Sequence, residues 1–152
     1  MDREELIRKY AGGERDFTGR KIQAHWNDRV DKGIIYQQAD FSNSYFDSSG
    51  FDECDLSFTK FLYARMYESG FGRSYMPGAD STYATFSQCN FIDVELRSAV
   101  FRDTTLSEVN FRGSNLAYAD LRGAREFSSC FCEGTIFYET IMPDGSIRTD
   151  SL

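Results

Sequence analysis

The sequence lacks most of the groups that enzymes use for catalysis. Its 152 residues include a single histidine, so neither a Ser/His/Asp nor a Cys/His arrangement has more than one candidate base. No cysteine belongs to a CxxC pair or has a histidine at metal-ligand spacing; the four are Cys54, Cys89, Cys130 and Cys132. Neither GxGxxG nor a P-loop motif occurs, so a nucleotide-binding loop has no support. We therefore predict a protein that is not an enzyme, with no cofactor, no metal and reduced structural cysteines.

Excess positive charge and long apolar runs are also missing. With 17 Lys and Arg against 24 Asp and Glu, the formal net charge is -7, whereas direct binding of nucleic acid requires a basic surface. No apolar stretch follows Met1 to Glu5, so we expect neither a secretory signal nor a membrane span. The expected location is the cytoplasm, and the expected partner is a protein rather than a nucleic acid or a membrane.

A five-residue period dominates the chain from Ala39 onward. Stepping by five from Phe41 to Ile141 gives 21 positions, and all of these centres are apolar except Ser81 and Glu126. Two residues before the centres, every position from Ala39 to Gly134 holds Ala, Ser, Cys, Thr, Val or Gly. We predict that both sets point inward, a large residue beside a small one, without a change of register.

A period of five excludes both regular secondary structures as the repeating element. Residues five apart point to opposite sides of a straight strand, and in a helix each centre would be rotated by about 140° from the last. The chain must therefore turn once in every unit, with the small and the large residue on the inner side of a short extended segment. The predicted architecture is an all-β solenoid with a packed axis.

The repeats resemble those of the pentapeptide-repeat family, whose consensus is A(D/N)LXX. Ala119-Asp120-Leu121 and Ser114-Asn115-Leu116 carry the resemblance, which extends over about two thirds of the chain. It implies a right-handed quadrilateral β-helix with four pentapeptides per coil. The centres themselves agree with a coil of twenty residues. When centres twenty residues apart are grouped into columns, the column that ends at Phe131 contains only Phe, whereas the column that ends at Ile136 contains no Phe. About five coils spaced by about 4.8 Å would give a rod of about 25 Å.

We predict one domain, 1–152, whose ends depart from the regular repeat. Residues 2–11 are predicted to form a capping α-helix, because Asp2 and Glu5 suit a capping box and Gly12-Gly13 suits a helix stop. The other predicted segments are an irregular first coil at 14–22, a loop at 23–35, regular repeats at 36–142 and a C-terminal turn and tail at 143–152. The loop carries His25 and Trp26, and a surface role in which Trp26 covers the first coil is favoured over a functional site.

The two polar centres are interpreted as packing faults rather than sites. An unpaired carboxylate inside the core would cost several kcal/mol, so we expect a local bulge that turns Phe127 inward in place of Glu126. Cys130 and Cys132 flank the predicted centre Phe131 and are expected to point outward.

Outward tyrosines in neighbouring coils form the candidate interaction surface. Tyr63 and Tyr83 are twenty residues apart, as are Tyr118 and Tyr138, so each pair is expected to stack along one side of the rod. Stacking that only stabilises the rod explains them at least as well, although the nearby Phe58, Arg65 and Phe137 favour contact with a partner. The predicted function is a structural or protein-interaction module whose partner the sequence does not identify.

An alternative function follows from the resemblance. Some members of the family imitate DNA in shape and charge, bind type II topoisomerases such as gyrase and protect them from quinolones. Residues 36–143 contain 15 acidic and 8 basic side chains, so the acidity does lie in the rod. However, Arg102 and Arg122 lie among the carboxylates, and a face that carries both positive and negative charges imitates a row of phosphates poorly. Mimicry is therefore the second hypothesis.

The C-terminal end is the expected site of self-association. Only seven residues follow Gly145, too few for a second capping helix, and an uncapped coil exposes both backbone edge and core. In a homodimer, two such ends would meet about a twofold axis and cover each other's backbone edge and core. A tail in which Ile147 folds back over the last coil would instead leave a monomer, and the sequence does not decide between the two.

Overall fold

The computed structural model describes residues 1–25 and 33–150, and these wind into a coil with four sides. Each turn of the coil takes twenty residues over most of the rod, and each pairs in parallel with the next, as in Asp55 with Tyr75 and Asp80 with Val100. The all-β solenoid predicted from the period of five is confirmed.

The regular elements of the described residues are one α-helix, one 3-10 turn and seven short strands. The helix is α1 (Arg3–Ala11), and the strands are β1 (Lys21–Ile22), β2 (Tyr45–Asp47), β3 (Arg65–Tyr67), β4 (Thr85–Ser87), β5 (Thr105–Ser107), β6 (Thr140–Ile141) and β7 (Ile147–Arg148). Strands β1 to β5 form a parallel sheet in that order, and β6 pairs with β7 in antiparallel fashion. The strands stay short because the chain has to turn in every pentapeptide.

We number the four sides of the coil by the backbone pairs that they contain. Face 1 carries the pairs from Asp40 to Asp120, and face 2 consists of strands β1 to β5. Face 3 carries the pairs from Gly50 to Asn110, and face 4 those from Ile35 to Asn115. The chain passes from face 1 to face 4 in each coil, so side chains twenty residues apart lie above one another.

The predicted centres fill the axis of the coil as far as Leu121. Every centre from Phe41 to Leu121, including Ser81, is at most 2% exposed. In the all-Phe column, the ring of Phe71 lies 5.6 Å from that of Phe51 and 4.7 Å from that of Phe91, with planes within 14° of parallel. Aromatic stacking therefore continues from coil to coil through the middle of the rod.

Two recurring positions explain the consensus in physical terms. The Asp or Asn before a centre accepts a hydrogen bond from the backbone two residues later, as Asp80 does from Thr82 at 3.0 Å and Asn115 from Ala117 at 3.0 Å. The residue two places after each centre from Phe41 to Leu121 is left-handed, and its φ lies between +46° and +61° wherever it is not glycine. The hydrogen bond fixes the turn, and the left-handed residue makes the corner.

Within the regular repeats the register changes at Glu126, so the prediction of an unbroken phase from Ala39 onward is wrong. Glu126 has a φ of +60°, and Phe127–Ser129 form a 3-10 turn that adds one residue to the coil. Beyond it the paired residues are 21 apart, as in Asn110 with Phe131. Phe131 and Ile136 were predicted inside, but they point outward with 45% and 39% of their surface exposed.

The residues after the shift pack inward one place later than predicted. Phe127 packs against the core, which confirms the bulge, and Phe137 is 1% exposed. Cys130 and Cys132 also pack against the core, so the prediction that they point outward is wrong. The physical reason is that a one-residue insertion exchanges the inner and outer sides of every extended segment that follows.

Helix α1 covers the first coil at the predicted position. Asp2 accepts a hydrogen bond from the Glu5 backbone at 2.8 Å, and Leu6 is completely buried. Arg3, which is only 7% exposed, donates to the carbonyl oxygens of Ala24 and Gly50 at the edge of the coil. The edge that a solenoid leaves open at its start is therefore covered by both an apolar and a polar side chain.

The predicted first coil and loop are partly described. Phe17 and Ile22 are fully buried, and the Phe17 ring stacks at 5.4 Å on that of Phe41. At the two ends of the predicted loop, Ala24 is buried and Ile35 pairs with Asp55, so these residues belong to the coil. Residues 26–32, with Trp26, lie outside the described residues.

The C-terminal tail pairs with the last coil through β7. The backbone of Asp150 donates to the carbonyl of Phe137 at 2.9 Å, and the Arg148 guanidinium lies 3.9 Å from the centre of the Phe137 ring. Ile147 is 71% exposed, so the tail covers the coil through its backbone and Arg148 rather than through Ile147.

Candidate interaction surface

The first tyrosine pair lies at the corner between faces 1 and 2. The rings of Tyr63 and Tyr83 are 5.0 Å apart and 15° from parallel, so the predicted stacking is confirmed. Each residue is about half exposed, at 56% and 50%. The contact arises because both occupy the left-handed corner position of successive coils, which directs both rings the same way.

The second pair is in contact but is not stacked. The rings of Tyr118 and Tyr138 are 5.5 Å apart and 77° from parallel. Tyr118 occupies the corner between faces 4 and 1, whereas the register change at Glu126 moves Tyr138 off that corner position. The Arg97 guanidinium also lies 5.6 Å from the centre of the Tyr118 ring.

Phe58 extends this aromatic surface to the opposite corner of face 1. It is 61% exposed and lies over Gly78, where a β-carbon would come within 2.7 Å of the Phe58 ring. Phe137, which the sequence placed with this surface, is buried instead. The sequence reasoning missed the exposed Tyr45 and Tyr67 on face 2, because neither has a tyrosine twenty residues away.

Charged side chains between the coils are largely paired. Arg73 contacts Glu53 at 2.7 Å, and Arg112 contacts Glu133 at 3.0 Å. On face 1, Asp120 is only 8% exposed and accepts from the guanidinium groups of both Arg102 and Arg122. The negative charge of the rod is therefore interrupted by arginines on several faces.

The described residues show no arrangement suited to metal or thiol chemistry. Within 1–25 and 33–150, no three side chains of the types His, Cys, Asp and Glu converge on a common point. Burial raises the pKa of the Cys89 thiol to about 11 and that of Cys130 to about 12, so both are poor nucleophiles at neutral pH. Burial also raises the pKa of Cys132. No helix in the described part of the chain is both long and apolar enough to span a membrane.

Comparison with known proteins agrees with this architecture. A family model described as pentapeptide repeats matches eight copies within residues 78–107 and 89–125. The fold is similar to that of a trypsin-treated QnrB1, a plasmid-mediated fluoroquinolone resistance protein, with 20% identity and a TM-score of 0.51 over 85% of this chain. This chain covers 66% of that QnrB1 chain.

A second solved structure is similar over nearly its whole length. Rfr23, a pentapeptide repeat protein from the cyanobacterium Cyanothece 51142, has 15% identity and a TM-score of 0.53, covering 97% of this chain and 98% of its own. No curated protein sequence matches significantly. Residues 78–125 therefore match pentapeptide repeats, and the four-sided coil that continues the five-residue period beyond them is the fold of known pentapeptide-repeat proteins.

Proposed function

We propose that the chain is a non-enzymatic protein-interaction module that presents face 1 and its two corners to a protein partner. The half-exposed stack of Tyr63 on Tyr83 carries this proposal, and Phe58 and Tyr118 line the opposite corner of the same face. Tyrosine and phenylalanine are enriched at protein interfaces because they bury much apolar area with little loss of side-chain entropy. All four cysteines are free thiols, which fits the proposed cytoplasmic location.

The rod itself does not require aromatic residues at this corner. In four other coils the position of Tyr63 and Tyr83 is taken by Gly19, Asn43, Asp103 and Gly123, all with a left-handed backbone. Stacking between exposed rings contributes at most about 1 kcal/mol. A role in binding therefore explains the two tyrosines better than a role in stability alone.

Replacing both Tyr63 and Tyr83 by serine is expected to abolish partner binding without unfolding the rod. Wild-type protein, the double variant and a Tyr75→Ser control are immobilised and exposed to native lysate, because Tyr75 is equally exposed, at 52%, but lies on face 4. A protein that is retained by the wild type and the control, and lost with the double variant, is the expected result. Retention by all three would contradict the proposed surface.

Protection or inhibition of gyrase by DNA mimicry is the second candidate function. The fold likeness to QnrB1 and the acidity of the rod favour it. The ion pairs of Arg73, Arg102, Arg112 and Arg122 oppose it, because they neutralise carboxylates that would have to imitate phosphates. A supercoiling assay with added protein distinguishes the two, since inhibition at low micromolar concentration would favour mimicry over the tyrosine surface.

We further propose a homodimer through the part of the C-terminal end that the tail leaves open. Phe127, Cys130, Cys132 and Met142 are only partly buried there, while β7 covers the adjoining edge at β6. Light scattering is expected to give a mass near twice 17.4 kDa for the intact chain. A monomeric intact chain would rule the dimer out, and association only after truncation behind Gly145 would identify the tail as the cap.

A further inference from the structure

A cleft opens beside the tyrosine stack, at the corner between faces 1 and 2. It is lined by Asn43, Ser44, Tyr45, Tyr63 and Arg65. Tyr45 and Arg65 are neighbours in register on β2 and β3, and both point outward. Tyr63 is stacked on Tyr83 on one side, while the corner one coil earlier holds the short Asn43, so the side of Tyr63 toward that coil borders the cleft.

Arg65 differs from the other arginines of the repeats in having no partner for its guanidinium among the described residues. The other six all have one: Arg73 pairs with Glu53, Arg102 and Arg122 with Asp120, Arg112 with Glu133, Arg125 with Thr105, and Arg97 with the Tyr118 ring. Asp47, the acidic residue of β2, does not line the cleft. Within the regular repeats of this acidic rod, Arg65 is thus the one unpaired guanidinium, and it lines the cleft together with two exposed tyrosines.

We propose that this cleft binds a carboxylate side chain of the protein partner. The guanidinium of Arg65 holds the carboxylate, and the rings of Tyr45 and Tyr63 pack against an apolar residue next to it. A planar guanidinium offers two parallel N–H donors that match a carboxylate, and Arg and Tyr are the residue types that dominate binding energy at interfaces. The inference rests on the proposed function and specifies the partner's chemistry: an acidic residue adjacent to an apolar one.

The lining of the cleft favours a carboxylate over a phosphate. A phosphate group carries nearly two negative charges and is usually held by several basic groups. Arg65 is the one basic residue that lines the cleft, and its single charge matches a single carboxylate. A cationic ligand is disfavoured because no acidic side chain lines the cleft.

Short peptides test the inference without knowledge of the partner. N-acetyl-Phe-Glu-amide is titrated into the intact protein and followed by NMR, beside the matching Gln, Lys and phosphoserine peptides. The Glu peptide is expected to bind at millimolar concentration with shifts at Tyr45, Tyr63 and Arg65, and about five-fold more tightly than the Gln peptide. The Lys peptide is expected not to bind.

Two variants show whether Arg65 is the source of the preference. Arg65→Gln is expected to bind the Glu and Gln peptides equally, whereas Arg73→Gln, whose guanidinium is already paired with Glu53, keeps the difference. An undiminished preference in Arg65→Gln, or tighter binding of the phosphoserine peptide, would overturn the carboxylate assignment. If the tyrosine variants still lose their captured protein in that case, the proposed function stands and this inference alone fails.

Discussion

Replacing Phe91 by alanine is expected to lower the free energy of unfolding by about 3 to 5 kcal/mol. The Phe91 side chain is completely buried, with the Phe71 ring 4.7 Å away in one neighbouring coil and the Phe111 ring 5.4 Å away in the other. Phe86 of the same coil contacts it edge-on at 5.4 Å. Backbone hydrogen bonds hold the coils at a fixed spacing, so the cavity cannot collapse. Urea unfolding measures the loss.

Phe131→Ala provides a matched control at a position that the period of five assigns to the same column. Phe131 is 45% exposed after the register change, so its removal is expected to cost less than about 1 kcal/mol. Similar losses in the two variants would mean that Phe131 is inside and that the register does not change at Glu126.

The sequence predicts the core well wherever the two inward positions agree with each other. From Phe41 to Leu121 each large centre is preceded two places earlier by a small residue, and all of these centres are buried. The period also predicts the stacking of Tyr63 on Tyr83, because a repeat of twenty places them at the same corner. Features that depend only on this repeat follow from the sequence.

The register change was missed because Phe131, Ile136 and Ile141 continue the apolar phase by coincidence. In the unshifted phase, the position two places before Ile141 holds Glu139 instead of a small residue. This exception is the signal in the sequence that the phase changes. In the shifted phase, three apolar centres are each preceded two places earlier by a small residue: Cys132 by Cys130, Phe137 by Thr135 and Met142 by Thr140. Both phases offer apolar centres, so the apolar pattern does not decide between them, whereas the backbone pairing does.

The cleft depends on contacts that no repeat pattern contains. Tyr45 and Arg65 share a column with Thr85 and Thr105, so the column has no common chemistry. Whether Arg65 is paired depends on which carboxylates lie within reach of its side chain. Arg102 and Arg122, in contrast, are both paired because the Asp120 carboxylate lies within reach of each guanidinium.

Replacing Arg3 by methionine is expected to destabilise the rod by about 2 to 4 kcal/mol, because the carbonyl oxygens of Ala24 and Gly50 would each lose a buried, charged donor. The Arg3 guanidinium donates to Ala24 at 2.9 Å and also to Gly50, which join helix α1 to the first two coils. Methionine keeps the apolar stem of the side chain, so the loss reports mainly on the hydrogen bonds.

Arg8→Met in the same helix removes the same charge from an exposed position and is expected to change stability by less than about 0.5 kcal/mol. Thermal and urea unfolding of both variants measure the difference. Because the open edge of the first coil would be less tightly covered, the Arg3 variant is also expected to associate at concentrations at which the Arg8 variant stays monodisperse or dimeric. Equal unfolding midpoints for the two variants would show that helix α1 covers the coil through its apolar side chains, without a contribution from the buried guanidinium.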